Sequence, residues 1–543
     1  MESNKWIAAV ASIWIQCSCG ASYAFGIYSS VLKSSQGYDQ STLDTVSVFK
    51  DIGANAGVLA GVLYTAATVP RRSRRFPGGP WVVHFAGAIQ CFAGYFLMWL
   101  SVVGAIPRLP VPAMCCIILL ATHGQTFLST ANVVTAVHNF PDYSGTSVGI
   151  MKGILGLSGA VLIQVYQTFL KGSPTTFILM LAVLPTTVSL LLMCLVRIYP
   201  TNNNAGDDKK YLDGFSLVAL IVAAYLLILI ILENLLTFPL WARIVTFVVL
   251  LLLLALPLRI AIRAQEEHSR TPPQIPYNER SQLIDDSADD SEKFSAPECS
   301  TEYHEKATSD DNRLQLGKEL NLLQSVRTIN FWLLFIAMLC GMGSGSATVN
   351  NISQIGESLD YTTVEINTLV SLWSIWNFLG RFWAGYISDV FLRTRGWARP
   401  LFMVLTLATM TAGHVVIAAG FPGNLYVGSV LVGICYGSQW SLMPTITSEI
   451  FGVLHMGTIF NAIAIASPVG SYIFSVLVIG YIYDKEASGE GNLCYGTHCF
   501  MLSFFILSAA SLFGFLVSLI LLFRTRSFYA QILHTRLRHV ARR

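Results

Sequence analysis

The stretch Gly380–Arg393, GRFWAGYISDVFLR, decides how the rest of the chain is read. It closes an apolar run with small residues at Gly380 and Gly385, bases at Arg381 and Arg393, and an acid at Asp389. Two glycines on one helix let a neighbouring helix approach closely. An ionised side chain at the end of a membrane helix needs a partner, because a charge left alone in low dielectric costs several kcal/mol. The pattern predicts a latch between helices that must also come apart.

Composition sets the frame for that latch. Of 543 residues, 53% are apolar and 12% are charged, about half the charged share of a soluble domain. Such a chain cannot cover a soluble surface, and it predicts an all-α polytopic protein in a lipid bilayer. A net charge of +3 gives no reason to expect nucleic acid. The first apolar run, from Trp6 to about Val31, is too long for a secretory signal and reads as a first span. Of eleven cysteines, most lie in apolar runs and behave as small hydrophobes. Cys494 and Cys499 instead flank a polar loop, as a disulfide or as two unpaired thiols. No CxxC pair occurs, so no zinc site and no metal or cofactor is expected.

Apolar runs of about 20 residues give fourteen expected spans. Six lie near 7–31, 46–69, 80–104, 111–136, 147–170 and 175–198, within a first bundle over 1–200. Two more, 214–236 and 240–263, fill 201–263. Six lie near 329–350, 364–388, 399–420, 423–445, 458–484 and 500–523, within a second bundle over 328–523. The acidic stretch 264–327 is too poor in large apolar residues to fold and is expected to be a disordered linker. A basic tail is expected over 524–543. Arginines and lysines after spans 2, 6, 10 and 14 share one side only if both termini are cytoplasmic.

The two bundles echo each other. THGQTFLSTANVVTAVHNFPDYSGTSVGIMKG in spans 4–5 and CYGSQWSLMPTITSEIFGVLHMGTIFNAI in spans 12–13 both run from a polar mid-helix cluster to Gly-Thr at the next helix, Gly145-Thr146 and Gly457-Thr458. A six-span repeat in parallel orientation is the pattern of one transporter architecture.

On these residues the chain resembles the major facilitator superfamily. GRFWAGYISDVFLR carries that likeness, and GYDQSTLDTVSVFKDIGANAGVLAGVLY (37–64), GIMKGILGLSGA (149–160), NNISQIGESLDY (350–361) and SEIFGVLHMGTIFNA (448–462) narrow it to the plant nodulin-like, nuclear-fusion-defective-4-like group. The resemblance implies two six-helix repeats, here with about two extra central spans. It also implies a gating motif at Gly380, Arg381, Gly385, Asp389 and Arg393. One departure stands out. The superfamily places a similar acid after span 2, but no Asp or Glu occurs between Asp51 and Asp142.

The resemblance further implies that the first and fourth helices of each half line a central cavity. Those spans are unusually polar on their own account, and polar side chains in hydrocarbon need water or partners. The candidate cavity residues are Gln16 and Tyr23 in span 1, His123, Gln125 and Asn132 in span 4, Ser346 and Asn350 in span 9, and Ser438, Gln439 and Trp440 in span 12. Ordinary interhelical hydrogen bonding is the other account of them. His123 is a candidate for proton coupling, or a neutral histidine bonded to a neighbouring helix. Lys152 attracts an anionic solute, pairs with Asp389, or reaches the interface along its stem.

The chain has no GxxxxGK[ST] phosphate loop, HExxH pair or GxSxG elbow, so neither ATP-driven pumping nor an enzyme is expected. What remains is a secondary transporter of a small solute, with or without protons, working by alternating access. The alternative is a transporter-like sensor or scaffold without turnover. The membrane, the solute and the oligomeric state are left open.

Overall fold

The computed structural model describes residues 5–69, 78–170, 172–199, 205–236, 238–270, 317–487 and 494–541. Among the described residues there is no strand. The long helical elements of the first half are α1 (Lys5–Gln36, interrupted by a 3-10 turn at Ala21–Ala24), α2 (Gln40–Asn55 and Val58–Thr68), α3 (Trp81–Val103), α4 (Val111–Asn139), α5 (Ser144–Phe169) and α6 (Pro174–Leu192). Two helices follow, α7 (Ala205–Leu235) and α8 (Leu240–Arg270). The second half comprises α9 (Ile329–Asn350), α10 (Thr363–Arg395), α11 (Pro400–Ala418), α12 (Asn424–Phe451), α13 (Met456–Glu486, with a π-helical stretch at Tyr472–Gly480) and α14 (His498–Ala541).

Local sequence explains the ends of the helix that carries the latch. Thr362 and Glu365 form a reciprocal capping box at the start of α10. Arg393 and Arg395 lie in its last turn, and Gly396 ends it at φ 68, the left-handed geometry glycine tolerates best.

Among the described residues, twelve helical stretches are long and apolar enough to cross a membrane, which makes the chain an integral multi-pass membrane protein. The fourteen expected spans exceed that number by two. The other two fall on α10 and α12, of 33 and 28 residues. Both carry polar side chains along their length and are not among the twelve.

Within the first half, α3 packs on α4 and α6, and α2 on α4. Within the second, α10 packs on α12, and α14 on α9 and α11. Between halves the contacts run through α5 against α10 and α12, and α2 against α13. Helices α7 and α8 pair with each other and dock on α1 and α5. Their docking contacts include Trp14 Nε1 donating to the Leu254 carbonyl at 2.8 Å, and Gln164 Nε2 donating to Glu233 at 2.9 Å. A buried ion pair, Lys5 Nζ to Asp208 Oδ1 at 2.6 Å, ties the start of α1 to α7.

The expected linker is narrower at its described ends. Residues 264–270 continue α8. Residues 317–320 pack against the end of α12, where Gly317 N donates to the Ile450 carbonyl and Leu320 N to that of Phe451. Glu319 accepts from Val453 N and Leu454 N at 3.2 and 2.7 Å. The segment finds partners because the α12–α13 loop leaves backbone donors without helical acceptors. Residues 271–316 lie outside the described residues. The expected basic tail is, as far as Ala541, a continuation of α14.

Candidate functional site

The site has two parts: the seams where the halves meet, and the cavity above them. At one seam α5 begins at Ser144, and the residue before it, Tyr143, supplies no side-chain cap. Its free N–H groups are met from the other half. Asp389 Oδ1 accepts from Gly145 N at 3.2 Å, and Oδ2 accepts from Thr146 N at 2.5 Å and Thr146 Oγ1 at 2.6 Å. A carboxylate at a helix N-terminus is favoured by the peptide dipoles and by charge-assisted hydrogen bonds. The backbones come close enough because of glycine. A Cβ on Gly385 would lie within 2.9 Å of Gly149 Cα and press on the Gly145 carbonyl oxygen.

The charge partner of Asp389 is Arg399, at the head of α11, with Nη2 2.5 Å from Oδ1. Arg399 also donates through Nε to Glu449 at 2.6 Å and through Nη1 to Ser388 at 2.7 Å. Glu449 in turn accepts from Tyr529 OH at 2.8 Å. Arg399 and Tyr529 are fully buried. Arg393, one turn beyond Asp389 in the same motif, turns instead to the loop before α5. There it donates to the Asp142 carbonyl at 3.1 and 2.8 Å and lies 3.4 Å from the centre of the Tyr143 ring.

The other seam has the same layout without the acid. Gly61 lies where Gly385 does, and a Cβ there would press on the backbone of Gly457 and Thr458 at the start of α13. Four residues on, the position of Asp389 is held by Thr65, whose hydroxyl donates to the carbonyls of Gly61 (3.1 Å) and Leu454 (3.2 Å). Asn461 closes the seam, donating to Thr130 Oγ1 at 2.9 Å across the halves and to the Gly457 carbonyl at 2.7 Å. Asn461 escaped the sequence analysis, although it is the only amide in the apolar run Thr458–Ala466.

Between the halves lies a cavity of about 320 Å³. Helices α1, α4, α9 and α12 line it, together with α2, α5, α10 and α13. Of the expected residues, Tyr23, Gln125, Ser346, Asn350 and Trp440 line it, joined by Lys152 and by Arg381 of the latch motif. The rest lie elsewhere. Gln16 donates to Ser129 Oγ at 3.4 Å and the Met151 carbonyl at 3.3 Å. His123 Nδ1 meets Gln90 Oε1 of α3 at 2.8 Å, facing away from the cavity. Asn132 is fully buried with both amide atoms unpartnered. Ser438 donates to the Gly380 and Ile434 carbonyls at 3.2 and 2.8 Å, and Gln439 packs against Gly341 and Met410 Sδ.

Besides Lys50, two cations occupy the cavity wall. Arg381 is 2% exposed. It donates to Asn377 Oδ1 (2.9 Å), the Lys152 carbonyl (3.0 Å) and Tyr23 OH (3.1 Å). Lys152 Nζ lies 5.6 Å from the Trp440 ring centre and 5.5 Å from that of Phe460. Neither pairing with Asp389 nor an excursion to the interface describes it. Asp51 is the one carboxylate lining the cavity, and it pairs with Lys50 at 3.0 Å. Away from the cavity, Cys494 and Cys499 form a disulfide, which uses both thiols of the only Cys/His cluster among the described residues.

The comparisons agree with this architecture. Residues 5–262 match the nodulin-like family model, and residues 315–531 match the NFD4 C-terminal domain. Protein NUCLEAR FUSION DEFECTIVE 4 of Arabidopsis thaliana is 26% identical over 558 residues, covering 97% of this chain and 90% of that one. A probable transporter MCH1 of Yarrowia lipolytica is 27% identical over 188 residues, covering 32% of this chain and 38% of that one. The proton:xylose symporter XylE superposes with a TM-score of 0.53 at 10% identity, covering 95% of this chain and 94% of that one. The human organic anion transporter MFSD10 superposes with 0.52 at 9% identity, covering 95% and 100%. Between them the nodulin-like model and the NFD4 C-terminal domain match both halves of the chain, and its fold is that of solved major facilitator superfamily transporters.

Proposed function

We propose that this chain is a secondary transporter that carries a small solute by exposing its central cavity to one side of the membrane and then to the other. One observation carries the reading: Asp389 of the second half caps α5 of the first and ties the two halves together at that seam. A contact of that kind between two bundles can be made and broken as a unit, which is what rocking around a midplane site requires. The likeness to a probable transporter of Yarrowia lipolytica and the shared fold support the same conclusion.

By the positive-inside rule, the clusters of Arg and Lys favour a cytoplasmic latch with both termini on that side. Lys5 Nζ lies 5.4 Å from the Phe140 ring at the α4–α5 turn, and Tyr529 bonds Glu449 beneath the latch. Both described chain ends therefore stand at the latch end of the molecule. Coupling to protons through His123 is not part of this reading, because its ring meets Gln90 instead of the cavity.

The test is uptake by vesicles containing the purified full chain, offered an untargeted metabolite mixture with and without a proton gradient. Depletion of a solute that depends on the protein supports transport. Saturable binding with no flux into the vesicles would favour a sensor instead.

A further inference from the structure

The cavity holds more positive charge than the protein neutralises. Lys50 and Asp51 cancel each other at 3.0 Å. Lys152 and Arg381 remain, both on the same indole, 5.6 and 5.7 Å from the Trp440 ring centre. Arg381 is held by three neutral oxygens. The Lys152 ammonium makes no ion pair or hydrogen bond with the protein among the described residues, although its side chain is buried. Two aromatic faces offset part of that cost, about 0.5–2 kcal/mol each, but they do not remove the repulsion between like charges. An uncompensated cation pair in a low-dielectric chamber is an unfavourable design unless something else supplies the negative charge.

We propose that the cavity binds a small organic anion bearing one or two carboxylates, with Lys152 as its direct ionic partner and Arg381 as the second positive charge. The walls fit the organic part as well as the charge. Trp373, Tyr436, Trp440 and Phe460 contribute apolar faces, and about 320 Å³ is in the range of small-molecule sites. Small-molecule sites combine such apolar walls with a few placed charges. A cationic solute would meet two fixed positive charges and a single carboxylate already taken by Lys50. A neutral solute would leave Lys152 buried without a counter-charge.

For turnover this inference rests on the transporter reading; for binding it does not, and the experiment separates the two. The purified full chain is titrated with acetate, lactate, succinate, citrate, inorganic phosphate, chloride, glucose and putrescine, with thermal unfolding as the readout. At least one carboxylate should raise the midpoint saturably, and neither glucose nor putrescine should compete with it. Lys152→Gln should weaken that carboxylate at least about tenfold, since a charge-assisted contact is lost, and Lys152→Arg should restore most of it. If Lys152→Gln does not fold, competition among the eight solutes on the unaltered protein still decides. Binding confined to phosphate or chloride overturns the organic assignment. A response to glucose or putrescine alone, no response to any carboxylate, or an unchanged affinity in Lys152→Gln overturns the anion site. Carboxylate binding without flux in vesicles leaves the anion site standing and removes transport.

Discussion

Replacing Asp389 by Asn keeps the shape of the latch and removes its charge, so its effect can be worked from the contacts. The carboxylate accepts three hydrogen bonds from Gly145 and Thr146 and one from Arg399. The amide oxygen can still accept on one side. On the other side its NH2 would face the Thr146 N–H, donor against donor. Breaking a buried pair costs about 3–5 kcal/mol when the remaining charge is stranded. Here Arg399 keeps Glu449 at 2.6 Å, so about 2–3 kcal/mol is the better figure for a lost charged hydrogen-bond set. That shifts the balance between closed and open seam by roughly 30–150-fold. Ser441 makes a suitable reporter. It is fully buried, its hydroxyl has no partner, and it lies 2.8 Å from where a Gly385 Cβ would be. In a background lacking the other free cysteines, Ser441→Cys should react with a water-soluble maleimide only when the seam opens. Adding Asp389→Asn should raise that rate by roughly the same 30–150-fold, while solute binding persists. Equal rates with and without Asp389→Asn would refute the latch.

Other outcomes follow from the same structure. Gly385→Leu places a side chain against the Gly145 carbonyl and Gly149 Cα, so Ser441→Cys should label fast and vesicle uptake should be lost although the protein still reaches the membrane. Lys5→Met leaves Asp208 without the lysine at 2.6 Å; the midpoint of thermal unfolding should fall, in line with a loss of about 3–5 kcal/mol for a broken buried pair, and added salt should not restore it. Under the orientation argued from the basic loops, Cys494 and Cys499 should take up an impermeant maleimide from outside intact cells after reduction and not before. Labelling only from the cytoplasmic side would reverse the topology.

The sequence made some of this legible and concealed the rest for identifiable reasons. Gly385 and Asp389 could be read because a small residue and an acid in an apolar helix both demand a neighbour. Arg399 could not be read as the partner, since sequence distance favoured Arg393 while the loop at Gly396 carries the chain back to place Arg399 against Asp389. Helical periodicity, applied residue by residue, would have sharpened the cavity. At about 100° per residue, His123 and Gln125 are some 200° apart and cannot share a face, and only Gln125 lines the cavity. Ser438, Gln439 and Trp440 are consecutive, so they point three ways; Trp440 and Tyr436, one turn apart, face inward. Asn132 shares the face of Gln125 but lies about 10 Å further along the axis, beyond the cavity. Gln16 lies in the helix that ends at Ser18, whereas Tyr23 sits within the 3-10 turn Ala21–Ala24, so the break in periodicity leaves them on different faces.

The two seams differ in what they can sense. The one at Asp389 is a cluster of buried charges, so it answers to anything that alters local potential, such as a nearby ion, a modified lipid headgroup or a phosphate added to the adjoining loops. The one at Gly61 has no charge at the position of Asp389 and almost no spare volume. Any change there must work through packing, at the contact of α2 with α13. The two edges therefore differ in kind: charge is the lever at one and fit is the lever at the other.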